Sequence, residues 1–280
     1  MANLNQVELQ NLRHLIGAHC TIEKKLISEY DNTVKYLYSL PDGEYLECVV
    51  MDYKYGHTIC ISTQVGCKMG CSFCASGIGG FKRQLAPSEI LSQIYTAQKD
   101  LGIRISRIVL MGMGEPLDNF DNLLRFIELL TDENGINISQ RNLTVSTCGI
   151  VPKIKELADK KLQITLALSL HASNQEKRKE LMPVANAFDI HEAIDACRYY
   201  FEQTGRRVTF EYSLVGGVND TDADAAELSQ LIKGMNCHIN LIPVNPIKER
   251  DYVQSNAGVI AAFKNKLEKN GINVTIRREM

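Results

Sequence analysis

The sequence predicts an α/β fold in which strands and helices alternate along most of the chain. From about residue 57 onwards, apolar runs of strand length alternate with longer runs of helical periodicity. One predicted strand, Leu162–Ser169, is almost wholly apolar, as expected for a parallel strand covered on both faces. Such a series forms either a doubly wound sheet or a full or partial barrel. In both folds, ligands gather at the carboxyl ends of the strands.

The N-terminal part is predicted to be a short helix followed by a β-rich segment. Leucine and isoleucine recur close to helical spacing in residues 1–20, and Asp31-Asn32 and Pro41–Gly43 indicate turns between strands. The predicted strands are Thr21–Ile27, Thr33–Leu40, Glu44–Met51 and His57–Thr63. We therefore expect two domains, with residues 1–56 as an extension and residues 57–280 as the core.

Proline and glycine mark the ends of several core helices, as Pro87 and Gly205 illustrate. The predicted helices are Pro87–Leu101, Asp121–Leu130, Pro152–Lys160, Asp189–Gln203, Asp222–Lys233 and Val259–Lys269. After His57–Thr63, the predicted core strands are Ile105–Met111, Asn142–Thr147, Leu162–Ser169, Arg207–Val215 and His238–Ile242. The core therefore has six strands with intervening helices, and a final strand, Ile272–Ile276, follows the last helix.

The composition is typical of a globular protein from a reducing compartment. Hydrophobic residues make up 45% and charged residues 23% of the chain, and the formal net charge is −2. This charge argues against a surface that binds nucleic acid everywhere, although a local basic face is compatible with it. The 280 residues show no basic leader with an apolar run, and the isolated cysteines fit reduced thiols better than disulfides. We predict a soluble, cytoplasmic protein.

Three cysteines, Cys67, Cys71 and Cys74, stand close together at C-x₃-C-x₂-C spacing. Three thiolates at this spacing can bind three irons of one cubic cluster and leave the fourth iron without a protein ligand. A zinc site would need a fourth ligand, which His57 or His171 can supply. An electron-transfer ferredoxin normally brings a fourth cysteine close by, and this loop does not. The motif therefore favours an iron–sulfur cluster with an open iron.

An open iron needs a bidentate ligand, and the amine and carboxylate of S-adenosylmethionine form one. Beside a one-electron reductant, its sulfonium can be cleaved to a carbon radical. Glu115 follows Gly112-x-Gly114 directly after a predicted strand and can bind the ammonium, while the glycines allow close backbone approach. The same segment is equally compatible with a plain turn.

Other polar residues also follow predicted strands. Ser146 and Ser169 can hydrogen-bond a carboxylate or a ribose, or act in capping and turns. His171 is either a ligand contact or a histidine satisfied within the fold. Asn245 lies between Pro243 and Pro246, so its amide is rigidly presented to a base or a ribose.

These motifs together resemble the radical SAM adenine carbon-2 methyltransferases, which modify large-subunit ribosomal RNA and transfer RNA. The similarity extends from about residue 21 to the last residue. It rests on the cysteine triplet and on Gly112-Met-Gly-Glu-Pro116, Ser169-Leu-His171 and Leu241-Ile-Pro-Val-Asn-Pro246. The resemblance implies a partial (β/α)6 TIM-type barrel of the radical SAM kind with a small β-rich N-terminal extension.

The resemblance also implies the cofactors, partners and site residues. Cys67, Cys71 and Cys74 would hold a [4Fe-4S] cluster. Glu47 would be the proton acceptor, and Cys60 would resolve a covalent intermediate by forming a disulfide. The implied partners are ribosomal and transfer RNA and an electron donor such as flavodoxin or ferredoxin, with a monomeric protein. The implied S-adenosylmethionine ligands are Gly114, Glu115, Ser146, Ser169, Leu170, His171 and Asn245.

The sequence departs from the family pattern at both ends. Enzymes of this family first methylate one of their own cysteines. That cysteine lies in a segment shortly after the strand that corresponds here to residues 274–280, and it is not among the 280 residues. Most of the N-terminal accessory domain is also not among them. We expect this chain to cleave S-adenosylmethionine without completing methyl transfer. The alternatives are a radical SAM enzyme with a different substrate and a non-catalytic iron–sulfur protein.

Three basic segments bear on the choice between an RNA substrate and another substrate. They are Lys248–Met280, Lys177-Arg-Lys179 and Arg206-Arg207, and each is compatible with an RNA contact or with solvated surface.

Overall fold

A computed structural model describes residues 20–277, and the chain forms two compact units. The first unit comprises the residues up to Gly66 together with Phe81–Leu143. The second comprises Cys67–Gly80 and the residues from Thr144 onwards. The helix predicted within residues 1–20 lies almost entirely outside the described residues. The domain boundary at residues 56 and 57 stays a prediction.

The first unit contains the β-rich lead-in that the sequence predicts. Four strands pair in antiparallel order, and a fifth pairs in parallel with the fourth. Asp31 and Asp42 accept hydrogen bonds from the backbone two residues ahead, which closes both predicted turns. The strands are β1 (Thr21–Ile27), β2 (Val34–Ser39), β3 (Tyr45–Tyr53), β4 (Gly56–Cys60) and, later in the chain, β7 (Ile105–Leu110).

Two helices, α1 (Pro87–Leu101) and α2 (Phe120–Thr131), complete the first unit. Helix α1 begins with proline, where a missing N–H costs nothing, and ends at Gly102 in the left-handed conformation. A short antiparallel pair, β5 (Gln64–Gly66) and β6 (Phe81–Gln84), was not predicted. Each of its strands is too short to show a period of two, and they are far apart in the sequence.

The second unit is built on five parallel strands, each paired with the next along the chain. The strands are β8 (Leu143–Thr147), β9 (Thr165–Ser169), β10 (Val208–Leu214), β11 (Cys237–Pro243) and β12 (Asn273–Ile276). The helices are α3 (Val151–Asp159), α4 (Gln175–Leu181), α5 (Ile190–Thr204), α6 (Asp222–Leu231) and α7 (Ala257–Lys269). Helix α4 was not predicted, because its seven residues are mostly charged and show no apolar periodicity.

The two faces of β10 differ, and this difference positions polar groups in the second unit. Tyr212 packs against Phe263 of α7, with ring centroids 5.3 Å apart, so this face is covered by a helix. Successive side chains of a strand alternate between faces, so Glu211 and Ser213 lie on the opposite face.

In the part of the chain that the structure describes, no helix is long and apolar enough to cross a membrane.

Candidate active site

The cysteine triplet lies on a closed loop of the second unit. Gly80 O accepts a hydrogen bond from Cys67 N at 3.2 Å, and Cys71 O accepts one from Cys74 N at 3.2 Å. The three loop thiols are half-exposed and form no disulfide. Four of the isolated cysteines are buried: Cys20, Cys48, Cys148 and Cys197. Accessible, reduced thiols are what a metal cluster requires of its ligands.

The chemistry of the loop's donor set suits a metal cluster. Thiolates are the ligands that iron–sulfur clusters take, and the loop offers three of them within eight residues, all partly accessible. Across residues 20–277, no group of three or more His, Cys, Asp or Glu side chains is arranged to hold a metal ion. The donor set and its accessibility therefore agree with three ligands of an iron–sulfur cluster.

Distant segments of the same unit fix the loop. Ser72 donates from its backbone N at 2.9 Å and from its hydroxyl at 3.2 Å to the carbonyl of Leu181, at the end of α4. Tyr252 donates from its hydroxyl to Ser72 Oγ at 2.8 Å. Met69, Cys71 and Phe73 pack against a small buried group made of Cys148, Leu181 and Met182. The cysteines are therefore held on a braced loop.

His171 lies buried beside this loop in a strained backbone conformation. Its φ is 55°, which is uncommon outside glycine, and Asn219 Nδ2 holds its carbonyl at 2.8 Å. The Nδ1 atom accepts a hydrogen bond from Ser213 N at 2.9 Å. Burial lowers the pKa of His171 to about 3, and the charge of Arg178 adds to the effect. The ring is therefore neutral, and Nε2 carries the proton.

The structure brings the two predicted serines together. Ser146 at the end of β8 and Ser169 at the end of β9 have their hydroxyl oxygens 3.4 Å apart. Leu170 is buried, and its N–H donates to Glu211 O at 3.0 Å. Asn245 follows β11 and is exposed. Parallel strands end at one edge of their sheet, so these residues share that edge of the second unit.

A polar row extends from Ser169 across the same sheet. Glu211 pairs in register with Ser169 on one side and with Asn240 on the other. Asn240 Nδ2 donates to Glu211 Oε2 at 2.8 Å, and Thr275 Oγ1 donates to Asn240 Oδ1 at 3.2 Å. Burial raises the pKa of Glu211 to about 7, although the bond from Asn240 opposes the rise. A carboxyl group that exchanges its proton near neutral pH thus lies beside a predicted ligand.

The structure corrects the prediction of a basic surface at Lys177-Arg-Lys179. Arg178 is fully buried, and its Nη2 donates to Cys148 O at 2.6 Å, with Ser169 O at 3.5 Å. Lys177 pairs with the buried Asp224 at 2.6 Å. The short helix α4 turns Arg178 towards the interior, on the side that also buries Leu181. This segment therefore has a structural role that its charges alone did not indicate.

In the first unit, the Gly112–Glu115 segment forms a tight turn. A Cβ at Gly112 would lie 2.7 Å from the backbone of Ile61, and one at Gly114 would lie 2.5 Å from Gln64 Cβ, so both positions require glycine. Glu115 is buried, and its Oε1 accepts a hydrogen bond from Leu117 N at 3.0 Å. The carboxylate therefore caps the turn that follows, and its role as a ligand stays a prediction.

Glu47 and Cys60 lie diagonally on one face of the sheet of the first unit. Cys60 in β4 pairs directly with Val49 in β3, and Glu47 precedes Val49 by two residues. Side chains two residues apart on a strand point the same way, so Glu47 and Cys60 share a face. Glu47 is about half-exposed and pairs with Lys35 at 2.9 Å, whereas Cys60 is buried. Strand β3 lies between β2 and β4, so the exposed carboxylate of Glu47 projects from an interior strand of this sheet.

Three residues of the second unit escaped the sequence reasoning. The sequence presents Arg178 as a member of a charged run and Glu211 as a member of a strand. Asn219 follows Gly216-Gly217 after β10, and no role was predicted for it from the sequence. Its side chain is fully buried and bonds to His171 O, Ser213 O and Val215 N. A charged residue in an apolar strand was the one available signal, and it pointed to Glu211.

Comparison with known proteins links this geometry to one class of enzymes. The model of the radical SAM superfamily matches residues 61–229. A probable dual-specificity RNA methyltransferase RlmN from Lachnospira eligens is 66% identical over 253 residues, which cover 90% of this chain and 72% of the relative. A protein of the same name from Lachnoclostridium phytofermentans is 57% identical and covers 98% of this chain and 79% of its own length.

Solved structures point to the same class of enzymes as the sequence relatives. The crystal structure of a radical SAM methyltransferase from Sphaerobacter thermophilus superposes with a TM-score of 0.93 at 40% identity, covering 98% of this chain and 82% of that chain. This superposition confirms the predicted α/β fold of the radical SAM kind. Streptococcus suis SuiB, solved with bound S-adenosylmethionine, superposes with a TM-score of 0.57 at 16% identity over 77% of this chain and 49% of that chain, and shows the shared fold alone.

Proposed function

Because the chain belongs to the radical SAM superfamily and, within it, to the dual-specificity RNA methyltransferases, we propose that it acts in methylating carbon 2 of an adenine in large-subunit ribosomal RNA and transfer RNA. Family membership implies an iron–sulfur cluster and S-adenosylmethionine as cofactors. We assign a [4Fe-4S] cluster to Cys67, Cys71 and Cys74. The observation that carries this assignment is the braced loop, which presents three half-exposed thiols beside a neutral histidine.

When bound, the cofactors supply a carbon radical through one-electron cleavage of the sulfonium. In the second unit, the hydroxyls of Ser146 and Ser169 hydrogen-bond the carboxylate or ribose of S-adenosylmethionine. His171 offers an N–H donor at Nε2, in an orientation that Ser213 and Asn219 fix. The Leu170 segment and the exposed amide of Asn245 are the remaining contacts that we assign to S-adenosylmethionine in this unit.

In the first unit, we assign the ammonium of S-adenosylmethionine to Gly114 and Glu115. A carboxylate suits an ammonium, and burial strengthens such a charge-assisted bond. The contact to Leu117 N holds the Glu115 carboxylate in one orientation before the ligand arrives.

We further propose that Glu47 accepts the proton of the adenine ring and that Cys60 resolves the covalent intermediate. Their shared face supports this pairing, because both groups must reach the same ring and the same sulfur. The carboxylate of Glu47 is exposed, so the adenine base of an RNA can reach it, and the thiol of Cys60 lies at the end of β4. The partners we propose are ribosomal and transfer RNA and an electron donor such as flavodoxin or ferredoxin. We also propose a monomer in the cytoplasm.

Reconstitution with iron and sulfide under anaerobic conditions tests the cofactor assignment. We expect the wild-type chain to bind a reducible [4Fe-4S] cluster whose electron paramagnetic resonance spectrum changes when S-adenosylmethionine is added, and to release 5′-deoxyadenosine. Replacing Cys67, Cys71 or Cys74 by alanine should abolish the cluster, the spectral change and the release of 5′-deoxyadenosine. Cys237→Ala is the matched control, because Cys237 is also half-buried but lies in a strand. Full cluster content in the loop variants would overturn the assignment.

Binding to RNA tests the substrate class. The affinity of the chain for a fragment of large-subunit ribosomal RNA or for transfer RNA should fall steeply with salt, as phosphate contacts require. An enzyme with another substrate would show no such affinity. In a protein that also carries the family's methyl-carrying cysteine, Glu47→Gln should slow RNA methylation by about 10²–10⁴-fold, the usual contribution of a general base. Glu128→Gln, which also breaks an exposed ion pair, is the control.

A further inference from the structure

Within the described part of the chain, no carboxylate is bonded to the fully buried guanidinium of Arg178 in the second unit. Arg178 has no exposed surface, and its Nε and Nη1 have no hydrogen-bond partner among residues 20–277. An uncompensated buried charge costs several kcal/mol, so native proteins pair such groups. The arrangement therefore calls for an anionic group that supplies the missing acceptors.

The neighbours of Arg178 accept hydrogen bonds from only some of its N–H groups. Its Nη2 donates to the carbonyls of Cys148 and Ser169, at the ends of β8 and β9. A Cβ at Gly149 would lie 3.0 Å from Nη2, so glycine makes room for the guanidinium. Burial lowers the pKa of Arg178, and the side chains that oppose this include Cys148, Cys71 and, with a smaller effect, Asp189. Asp189 already accepts a hydrogen bond from His191 N as the cap of α5.

The position of Arg178 connects it to the cysteine loop. Arg178 and Leu181 lie three residues apart on α4, and Leu181 O accepts both hydrogen bonds of Ser72, the neighbour of Cys71. Cys71 packs in the same buried group as Cys148, whose carbonyl binds Arg178. Arg178 is thus connected to the loop that carries the three thiols through Leu181 and Cys148, and Cys71 is among its electrostatic neighbours.

We propose that Arg178 is a positioning residue that supplies the counter-charge for an anionic cluster bound by Cys67, Cys71 and Cys74, and so sets the reduction potential of that cluster. This inference rests on the proposed function. Reduction adds a negative charge to a cluster that already has three thiolate ligands. A fixed positive charge in a poorly solvated region stabilises the reduced state more than the oxidised state, and net charge is among the factors that tune such potentials.

The test is the midpoint potential of the reconstituted cluster, followed by electron paramagnetic resonance during a reductive titration. Arg178→Gln keeps hydrogen-bond donors and removes the charge, whereas Arg178→Lys keeps the charge and changes the donors. We expect Arg178→Gln to lower the equilibrium constant for one-electron reduction at least tenfold, which is about 59 mV towards more negative potential. Arg178→Lys should shift it by less than half as much.

Arg198→Gln is the matched control, because Arg198 lies on α5 of the same unit, is partly exposed and pairs with Asp195. Its potential should equal that of the wild type. Arg178→Met provides a second charge-free variant of similar volume, since apolar replacements of buried charges often fold well. The same negative shift is expected, and a role in bracing the loop alone would not move the potential.

The outcomes distinguish a failure of the proposed function from a failure of this inference. If the wild-type chain binds no cluster, the proposed function fails and this inference fails with it. If the wild type and both charge-free variants bind full clusters with equal potentials, the inference alone is overturned. A shift that is as large in Arg178→Lys as in Arg178→Gln would also contradict it, because hydrogen bonding and not charge would then be responsible.

Discussion

The ring of Phe73 stands edge-on to the ring of His171, with centroids 4.8 Å apart and an angle of 72° between the planes. Phe73 belongs to the cysteine loop, and His171 follows β9, so this pair ties the loop to the sheet of its own unit. Edge-to-face aromatic pairs contribute about 0.5–1.5 kcal/mol beyond the burial of their surface. The pair therefore helps to hold the orientation of the neighbouring thiols.

Phe73→Leu is expected to make the cysteine loop more mobile while the loop still binds its cluster. The variant should lose about 0.5–1.5 kcal/mol of the free energy that holds the loop, and its cluster should lose iron faster under air. The measurement is iron content against time after exposure to oxygen. Phe201→Leu changes a half-buried phenylalanine on α5 of the same unit and serves as the control. Equal rates of loss in the two variants would refute the role of the ring pair.

The buried imidazole of His171 makes stability depend on pH below neutrality. Its pKa is lowered to about 3 in the folded chain, so below about pH 6.5 the unfolded state binds a proton that the folded state excludes. The free energy of unfolding should therefore fall by about 1.4 kcal/mol per pH unit as the pH drops below 6.5. Urea unfolding of the wild type and of His171→Gln isolates this contribution as their difference. A difference that stays constant between pH 7.5 and 5.5 would contradict the assignment.

The carboxyl of Glu211 acts in the opposite direction. Its pKa is raised to about 7, so the folded state keeps a proton that the unfolded state loses from about pH 4.5 upwards. Its contribution to stability thus decreases between pH 4.5 and 7, again by about 1.4 kcal/mol per pH unit. Glu211→Gln removes this dependence and retains an oxygen for Asn240 Nδ2. The variant should gain stability relative to the wild type as the pH rises through this range, measured by urea unfolding.

Gly112→Ala should destabilise the first unit. The added Cβ would lie 2.7 Å from the carbonyl carbon and oxygen of Ile61, and backbone atoms cannot rotate away from it. Overpacking of this kind costs about 1–3 kcal/mol. The check is the unfolding midpoint in urea compared with that of Gly79→Ala, where a Cβ meets nothing within 4 Å. Similar midpoints for the two variants would show that the turn is looser than this contact implies.

Much of the fold follows from short-range patterns. Most strands of both units were predictable because their apolar runs have strand length and are bounded by turn residues. Ser146 and Ser169 were each expected at the end of a strand, and they meet because β8 and β9 are neighbours in the sheet. The pair β5 and β6 was not predictable, since its strands are short and interrupted by the cysteine loop.

The contacts that brace the site depend on distant parts of the chain, and no local pattern encodes them. Arg178 lies in a run of charges typical of an exposed helix, yet its burial is decided by the carbonyls of Cys148 and Ser169. Glu47 and Cys60 were assigned from family resemblance alone. Their common face became visible only through the register of β3 and β4.

The bracing of the cysteine loop also sets an order of events during synthesis. Ser72 bonds to Leu181, 109 residues later, and accepts a hydrogen bond from Tyr252, 180 residues later. At a translation rate of about 5–20 residues per second, the last brace emerges roughly 9–36 s after the loop itself. The three thiols therefore leave the ribosome long before their final framework exists. Insertion of a cluster into the fully braced loop therefore follows translation of Tyr252.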